Sequence, residues 1–211
     1  MYRYFGKRLL DILLSGLALI VLSPILLILC ILGRIFMHDS PFFIYPRVGK
    51  NEKVFNLIKF RSMAELKDEN GEYLPDEVRL NKYGRVLRST SLDELPELIN
   101  IFVGHMSIVG PRPLPCRYLD YYTDEEKHRH DVRPGLTGLA QINGRNAISW
   151  EERFRFDLEY VRNITFVNDV NIVFGTVMKV LKRSDIGEGN ATMKSLHEVR
   201  SRNADLKGSK E

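Results

Sequence analysis

Between Ser89 and Asn100 the chain reads STSLDELPELIN, which sets two neighbouring carboxylates, Asp93 and Glu94, just ahead of Pro96. Proline lacks an amide proton and its ring obstructs the preceding turn, so it belongs near a helix start. That places both acids at or beside the N-terminus of a helix expected over Ser91 to Phe102, where the backbone dipole favours the ionised form. An ionised Asp is a nucleophile, and a neighbouring Glu can share in holding a hard divalent cation. Phosphoryl transfer between anionic substrates needs both roles. Ser91-x-x-Glu94 also fits a capping box, which would give the acids a purely structural duty. These residues alone leave that alternative open.

Cations in turn-bounded segments accompany the acids: Lys59 and Arg61 in KFRSM, Arg88 in LRS, and Arg112 in GPRP. Such groups neutralise a diphosphate, and guanidinium forks match phosphate oxygens, although each could equally be a solvated surface charge. His128-Arg129-His130-Asp131 has the residue types of a metal site, but two histidines two apart at a helix end read as surface residues. The chain contains no P-loop, dinucleotide glycine fingerprint or HExxH pattern, which removes the common routes to nucleotide hydrolysis, redox chemistry and zinc proteolysis. Trp150, the only tryptophan, reads as a core or interfacial anchor rather than a sugar platform.

The element that must hold this chemistry at its place of work is apolar. Ile12 to Gly33 is a run of 22 residues without a charge, long enough at about 1.5 Å per residue to cross a hydrocarbon layer of roughly 30 Å. It is too long for the core of a signal peptide, and no small-residue cleavage site follows it. Pro24 interrupts the run by removing the amide that would bond the Ile20 carbonyl, so a kink is expected near Ser23, whose hydroxyl can repair the break. Both flanks are basic, with Arg3, Lys7 and Arg8 before and Arg34, Arg47, Lys50, Lys53, Lys59 and Arg61 after. The positive-inside tendency favours a helix that enters, bends at Ser23-Pro24 and returns; pattern alone leaves a kinked single span equally open. Asp11, four residues after Lys7, reads as an interfacial ion pair.

Beyond the run, Phe42 to Val48 and Val54 to Phe60 read as the strands of a hairpin around Gly49-Lys50-Asn51-Glu52. Lys67 to Asp76 reads as an exposed loop, Leu114 to Tyr122 as a helix, and Thr123-x-x-Glu126 as a capping box opening another. Arg133 to Arg145, with three glycines and a proline, is expected to be an ordered irregular loop. Ser149-x-x-Glu152 opens a helix to about Arg162, and Val170 to Leu181 forms a second amphipathic helix closed by Lys182 and Arg183. Their apolar stripes suit either the bilayer surface or the core. The fold class is mainly α with a small β-hairpin (α+β). Its parts are a membrane helix over 1–35, a catalytic domain over 36–185 and a polar tail over 186–211.

The 211 residues, 44% hydrophobic and 27% charged, suit a packed domain rather than a disordered or fibrous chain. A formal net charge of +4 fits phosphates, nucleic acid or an acidic membrane equally. With only Cys30 and Cys116 there is no disulfide framework, and a reducing compartment is the natural reading.

Taken together, Ser23-Pro24 in its apolar run, KFRSM at 59–63, SLDELPEL at 91–98, MSIVGPRP at 106–113 and RPGLTGLAQINGR at 133–145 resemble the bacterial sugar transferase family. These are the small monotopic polyprenyl phosphate phosphoglycosyl transferases. The resemblance runs from about residue 1 to 185. It implies a re-entrant helix bent at Ser23-Pro24, amphipathic interfacial helices, and residence on the cytoplasmic face of the bacterial inner membrane. It also implies a two-step reaction in which Asp93 attacks the β-phosphate of a UDP-sugar and expels UMP. Glu94 then assists with Mg2+ and the incoming undecaprenyl phosphate, Asp93 and Glu94 together being the metal residues. Lys59, Arg61, Arg88 and Arg112 would hold phosphate, with Arg133 and Arg145 as further candidates. Glu97 stands where the family pattern has glutamine, which affects only the local helix start. KHRHDVRPG at 127–135 and NGRNAISWE at 143–151 are most similar to the branch that transfers N,N'-diacetylbacillosamine 1-phosphate at the first membrane step of N-linked glycosylation. Membrane lipids and downstream glycosyltransferases are the implied partners, and nucleic acid is not. A rival of another class, a basic membrane-anchored binding module, predicts salt-sensitive binding indifferent to Asp93 and Glu94. A third places the globular part outside the cell on a straight span.

Overall fold

In the computed structural model, which describes residues 1–144, 148–182 and 195–201, the uncharged run forms two helices. They are α1 (Lys7–Val21) and α2 (Ser23–Met37), a pair bent by 64°. Pro24 sits in the first turn of α2. Ser23 Oγ donates to the Ile20 carbonyl at 2.8 Å, supplying the bond that Pro24 has no proton to make. Among the described residues no single helix is long and apolar enough to cross a membrane, but the bent pair together is. A π-type turn over Tyr2–Gly6 precedes it.

The fold is α+β, mostly helical with small sheets, and the chain divides into two compact units. The dyad unit holds Phe5–Tyr45 and Asn56–Met106. It contains α1, α2 and parts of β1 (Phe42–Val48) and β2 (Val54–Phe60), which pair with each other. It continues through α3 (Asp76–Arg79), α4 (Lys82–Thr90), a 3-10 turn at Leu92–Glu94 and α5 (Glu97–Val103). Leu29 of α2, Phe60 of β2 and Leu87 of α4 form its buried centre, with Leu26, Cys30, Phe42, Tyr83, Leu92 and Leu95 packed around them. Arg8 of α1 donates to the Ile101 and Phe102 carbonyls at 2.6 and 2.8 Å, satisfying the C-terminal end of α5 with a cation. Gly84 lets α4 press against β2's exit, because a Cβ there would lie 1.9 Å from the Ser62 carbonyl oxygen.

The arginine-loop unit holds Met1–Tyr4, Pro46–Phe55 and the described residues from Ser107 onward. A second sheet, absent from the sequence expectation, pairs β3 (Ser107–Val109) in parallel with β4 (Gly135–Thr137). The segment expected to be irregular from Arg133 therefore contains a strand, and also α7 (Leu139–Ile142) after α6 (Asp124–Lys127). Its glycine is there for close approach: a Cβ at Gly135 would lie 2.1 Å from the Gly110 nitrogen. The helix expected over Leu114 to Tyr122 is instead a 3-10 stretch, Cys116–Tyr121, delayed by Pro113 and Pro115.

The capping boxes at Thr123 and Ser149 form as expected. The helix after the second, α8 (Trp150–Arg162), turns its stripe inward. Trp150 and Phe154 join Leu114, Tyr118 and Tyr122 in one cluster, so this stripe serves the core. By contrast α9 (Phe166–Lys182) buries Ile172 against Val109 and Tyr160 but leaves Phe166, Val167, Val170, Phe174 and Val177 exposed. Within the segment expected to be a polar tail, residues 196–201 are helical, and Leu196 is fully buried in the Trp150 cluster. Arg200 pairs with Glu126 there at 2.5 Å.

Candidate active site

Asp93 and Glu94 lie in the 3-10 turn Leu92–Glu94, not in a continuous helix from Ser91 to Phe102. Pro96 is the reason: with φ −64° it serves as the cap of α5, and the acids stand a turn ahead of that helix. Ser91 ends α4 in the left-handed region at φ 57°, a conformation that costs a non-glycine residue about 1 kcal/mol. Its side chain makes no capping bond, so the capping-box alternative is not realised. Glu94 instead accepts a bond from Lys59 Nζ at 2.6 Å, and the same ammonium lies 3.0 Å from Glu97 Oε1. Leu92 and Leu95, flanking the acids, pack into the core shared with Leu26, Leu29 and Cys30 of α2. The dyad turn and the second arm of the bent apolar pair thus rest on the same hydrophobic cluster.

Two further predicted cations fall in this unit. Arg88 Nε donates to Ser62 Oγ at 3.0 Å, in the last turn of α4. Arg61 is buried and committed elsewhere: Nε donates to the Ser40 carbonyl at 3.0 Å, Nη1 to Glu65 at 2.5 Å, and Asp39 lies at 3.3 Å. It braces the approach to β1, with its fork engaged by Ser40, Glu65 and Asp39.

Arg112 and Arg133 belong to the arginine-loop unit, where their loops meet: Gly135 N donates to the Pro111 carbonyl at 2.9 Å, and a Cβ on Gly110 would lie 2.5 Å from the Arg133 carbonyl. Arg145 lies outside the described residues. The Arg112 carbonyl accepts from Arg129 Nη2 at 2.7 Å, and that guanidinium is held by Asp157, both residues being 2% exposed. Burial pushes the Asp157 carboxyl up against the opposing pull of Arg129, while burial works against the Arg129 charge and is outweighed by Asp157 and Tyr122. Burial also lowers the Arg153 guanidinium, which Asp157 opposes and Arg112 and Arg129 reinforce, so several cations crowd this corner. From α8, Tyr160 Oη donates to the Val109 carbonyl at 3.0 Å and to Asp169 at 2.8 Å. Asp169 also accepts from Tyr2 Oη at 2.6 Å.

Several residues that matter to these sites were not singled out from sequence as functional. Asn100, 1% exposed, donates to the Asn56 carbonyl at 2.8 Å and accepts from Ile58 N at 3.0 Å. It splices α5 to β2 and so sets Lys59 beside Glu94; a polar, weak helix former between Leu98 and Ile101 was the available signal. Glu97, in sequence terms only a departure from the family's glutamine, is buried against Lys59. The HRHD segment is not a surface run: Arg129 and His130 are buried, and only His128 and Asp131 pair at the exposed edge. Among the described residues no group of three or more His, Cys, Asp or Glu could hold a metal. Two adjacent carboxylates nevertheless fit magnesium, which takes one or two protein carboxylates and completes its shell from water and substrate phosphate.

The chain matches the Bacterial sugar transferase family over residues 2–183, and it belongs to that family. It is 47% identical over 184 residues to the uncharacterized sugar transferase EpsL of Bacillus subtilis (strain 168), with 87% of this chain and 91% of the relative covered. To the UDP-glucose:undecaprenyl-phosphate glucose-1-phosphate transferase of Klebsiella pneumoniae it is 39% identical over 183 residues, which is 82% of this chain and 39% of the relative. The undecaprenyl-phosphate galactose phosphotransferase of Salmonella typhimurium (strain LT2) is 37% identical over 197 residues, 85% of this chain and 41% of the relative. The chain thus spans most of the first relative and about two fifths of the other two.

Proposed function

We propose that this chain transfers a sugar 1-phosphate from a UDP-sugar to undecaprenyl phosphate and releases UMP. The observation that carries the reading is the placement of Asp93 and Glu94 on the hydrophobic cluster of the bent apolar pair, with Lys59 against Glu94. A carboxylate held there can reach a phosphate whose lipid tail stays in the bilayer. The relatives' names, two of which specify undecaprenyl phosphate, supply the acceptor and the donor class.

In the first step an Asp93 oxygen attacks the β-phosphorus of the UDP-sugar. The bond to the bridging oxygen breaks, and UMP leaves with that oxygen. In the second, an oxygen of undecaprenyl phosphate attacks the same phosphorus, releases the Asp93 carboxylate and forms the undecaprenyl diphosphate sugar. Lys59 orients Glu94, and Arg88 neutralises phosphate charge in the dyad unit; in the arginine-loop unit, Arg112 and Arg133 are proposed as phosphate-binding residues. Magnesium, held by Asp93 and Glu94, would supply charge neutralisation at the diphosphate. UDP-N,N'-diacetylbacillosamine is the proposed donor, and the first membrane step of N-linked glycosylation the proposed setting, on the similarity of 127–135 and 143–151. We place the dyad unit on the cytoplasmic face of the inner membrane on a re-entrant helix. In the other unit, the exposed apolar face of α9 would suit a lipid surface.

UMP release should be measured for a panel of UDP-sugars with undecaprenyl phosphate and magnesium, in detergent or nanodiscs. The expected result is turnover that disappears in Asp93→Asn, together with labelled phosphosugar covalently retained by the wild type when the lipid is withheld. Full turnover in Asp93→Asn ends the proposal; a different preferred sugar ends only the bacillosamine assignment.

A further inference from the structure

The main chain around Arg112 is tied down at nearly every step. Tyr160 Oη holds the Val109 carbonyl, Gly110 N donates to the Thr137 carbonyl at 2.8 Å, Gly135 N holds the Pro111 carbonyl, and Val48 N donates to the Leu114 carbonyl at 3.2 Å. Arg112 sits between Pro111 and Pro113, so neither flanking residue has an amide with which to fix the peptide groups beside it. The Arg112 carbonyl is one handle on this stretch, and it is held by the Arg129 guanidinium at 2.7 Å.

Arg129 is itself fixed. Its Nε and Nη2 donate to Asp157 Oδ2 at 3.0 and 2.8 Å, and Nη1 lies 3.3 Å from His130 Nε2. A buried ion pair adds little stability over an apolar pair of the same volume, so stability alone does not account for a guanidinium here. What the planar fork adds is direction: one nitrogen bridges Asp157 and the Arg112 carbonyl, in a geometry that a point charge does not reproduce.

We propose that Arg129, locked by Asp157, is the positioning residue of Arg112: it fixes that backbone so that the Arg112 side chain is presented to a substrate phosphate without searching. The proposal rests on the phosphate-binding reading of Arg112. Loosening the clamp should weaken capture of the UDP-sugar more than it slows the chemical step.

The test is a four-cornered cycle of wild type, Arg112→Met, Arg129→Lys and the double variant, read as KM for the UDP-sugar, kcat and thermal midpoint. Arg129→Lys keeps a cation opposite Asp157 but gives up the fork. It should raise KM by about tenfold with kcat changed less than about threefold, and it should add less than about twofold once Arg112 is methionine. An unchanged KM in Arg129→Lys, or the same fold increase in both backgrounds, overturns the proposal while leaving the phosphate reading of Arg112 intact. An unchanged KM in Arg112→Met overturns that reading and this proposal with it. If Arg129→Lys does not accumulate as folded protein, Asp157→Asn, of nearly the same shape, takes its corner with the same expected outcomes.

Discussion

Lys59 Nζ reaches Glu94 Oε1 across 2.6 Å, with the two side chains 12% and 21% exposed. The pair couples β2 to the dyad turn and sets the orientation of the second acid. Lys59→Met should remove the cation that lies between Glu94 and the buried Glu97. Turnover should then fall about 100-fold, with a stability loss of about 3 kcal/mol. Steady-state UMP release and urea unfolding measure the two effects, and wild-type turnover in Lys59→Met would remove the lysine from the site. Glu97→Gln, which keeps the shape, should cost less than about 1 kcal/mol.

Asn100 carries a second expectation. Asn100→Ala strands the Ile58 amide and the Asn56 carbonyl where they are now bonded, at a cost of about 3 kcal/mol for two poorly satisfied backbone groups. Because the same splice places Lys59, activity measured well below the melting midpoint should also drop. A stability loss under 1 kcal/mol would show that β2 does not depend on this side chain.

His130 gives the protein an acid-sensitive limb. Burial, with Arg129 adding to it, holds the imidazole down at about 3 from a usual 6.5. Arg129 donates to Nε2, so the ring proton sits on Nδ1, on the side of Glu52 at 3.8 Å. The unfolded ring takes a proton that the folded ring refuses, so stability is lost as pH falls below about 6.5 and continues to fall toward about 3. The slope is at most about 1.4 kcal/mol per pH unit. Unfolding midpoints of wild type and His130→Phe, compared from pH 7 to 4, should diverge, the variant losing less. Parallel curves would rule His130 out as the source.

The bend at Ser23 and Pro24 makes a topological prediction. The proposed re-entry puts both ends of the 64° pair on one side, so single cysteines placed at residue 5 and residue 38, in a background lacking Cys30 and Cys116, should label from the same face. In Ser23→Ala/Pro24→Ala, which allows a continuous helix, the two ends should become accessible from opposite faces. Opposite-face labelling of the wild-type bend would make the segment a kinked span.

The sequence carried local signals faithfully where one residue sets the geometry by itself. Pro24 and Ser23 announced a break and its repair, the Ser149 and Thr123 boxes announced helix starts, and the Phe42 and Val54 runs announced the hairpin. It was less informative where geometry comes from long-range pairing. Three-residue strands such as β3 and β4 have no periodicity to read, and the glycines that allow their close approach look in sequence like loop residues. Pro96 was seen, but its consequence, a separate turn for Asp93 and Glu94, depends on how Leu92 and Leu95 pack. The Arg129 and Asp157 pair lies 28 positions apart, and neither residue type signals burial.

Tyr2 finds its hydroxyl partner Asp169 across 167 positions of chain and rests its ring edge on Phe166. In order of synthesis α9 comes long after Tyr2, so the Tyr2–Asp169 contact cannot close until α9 has been made. Fastening Tyr2 to α9 is therefore a late event of folding, and Tyr160 meets it there by donating to the same carboxylate. Tyr2→Phe, which keeps the ring edge on Phe166 but loses the hydroxyl, would loosen that late closure while leaving α1 and α2 as they are.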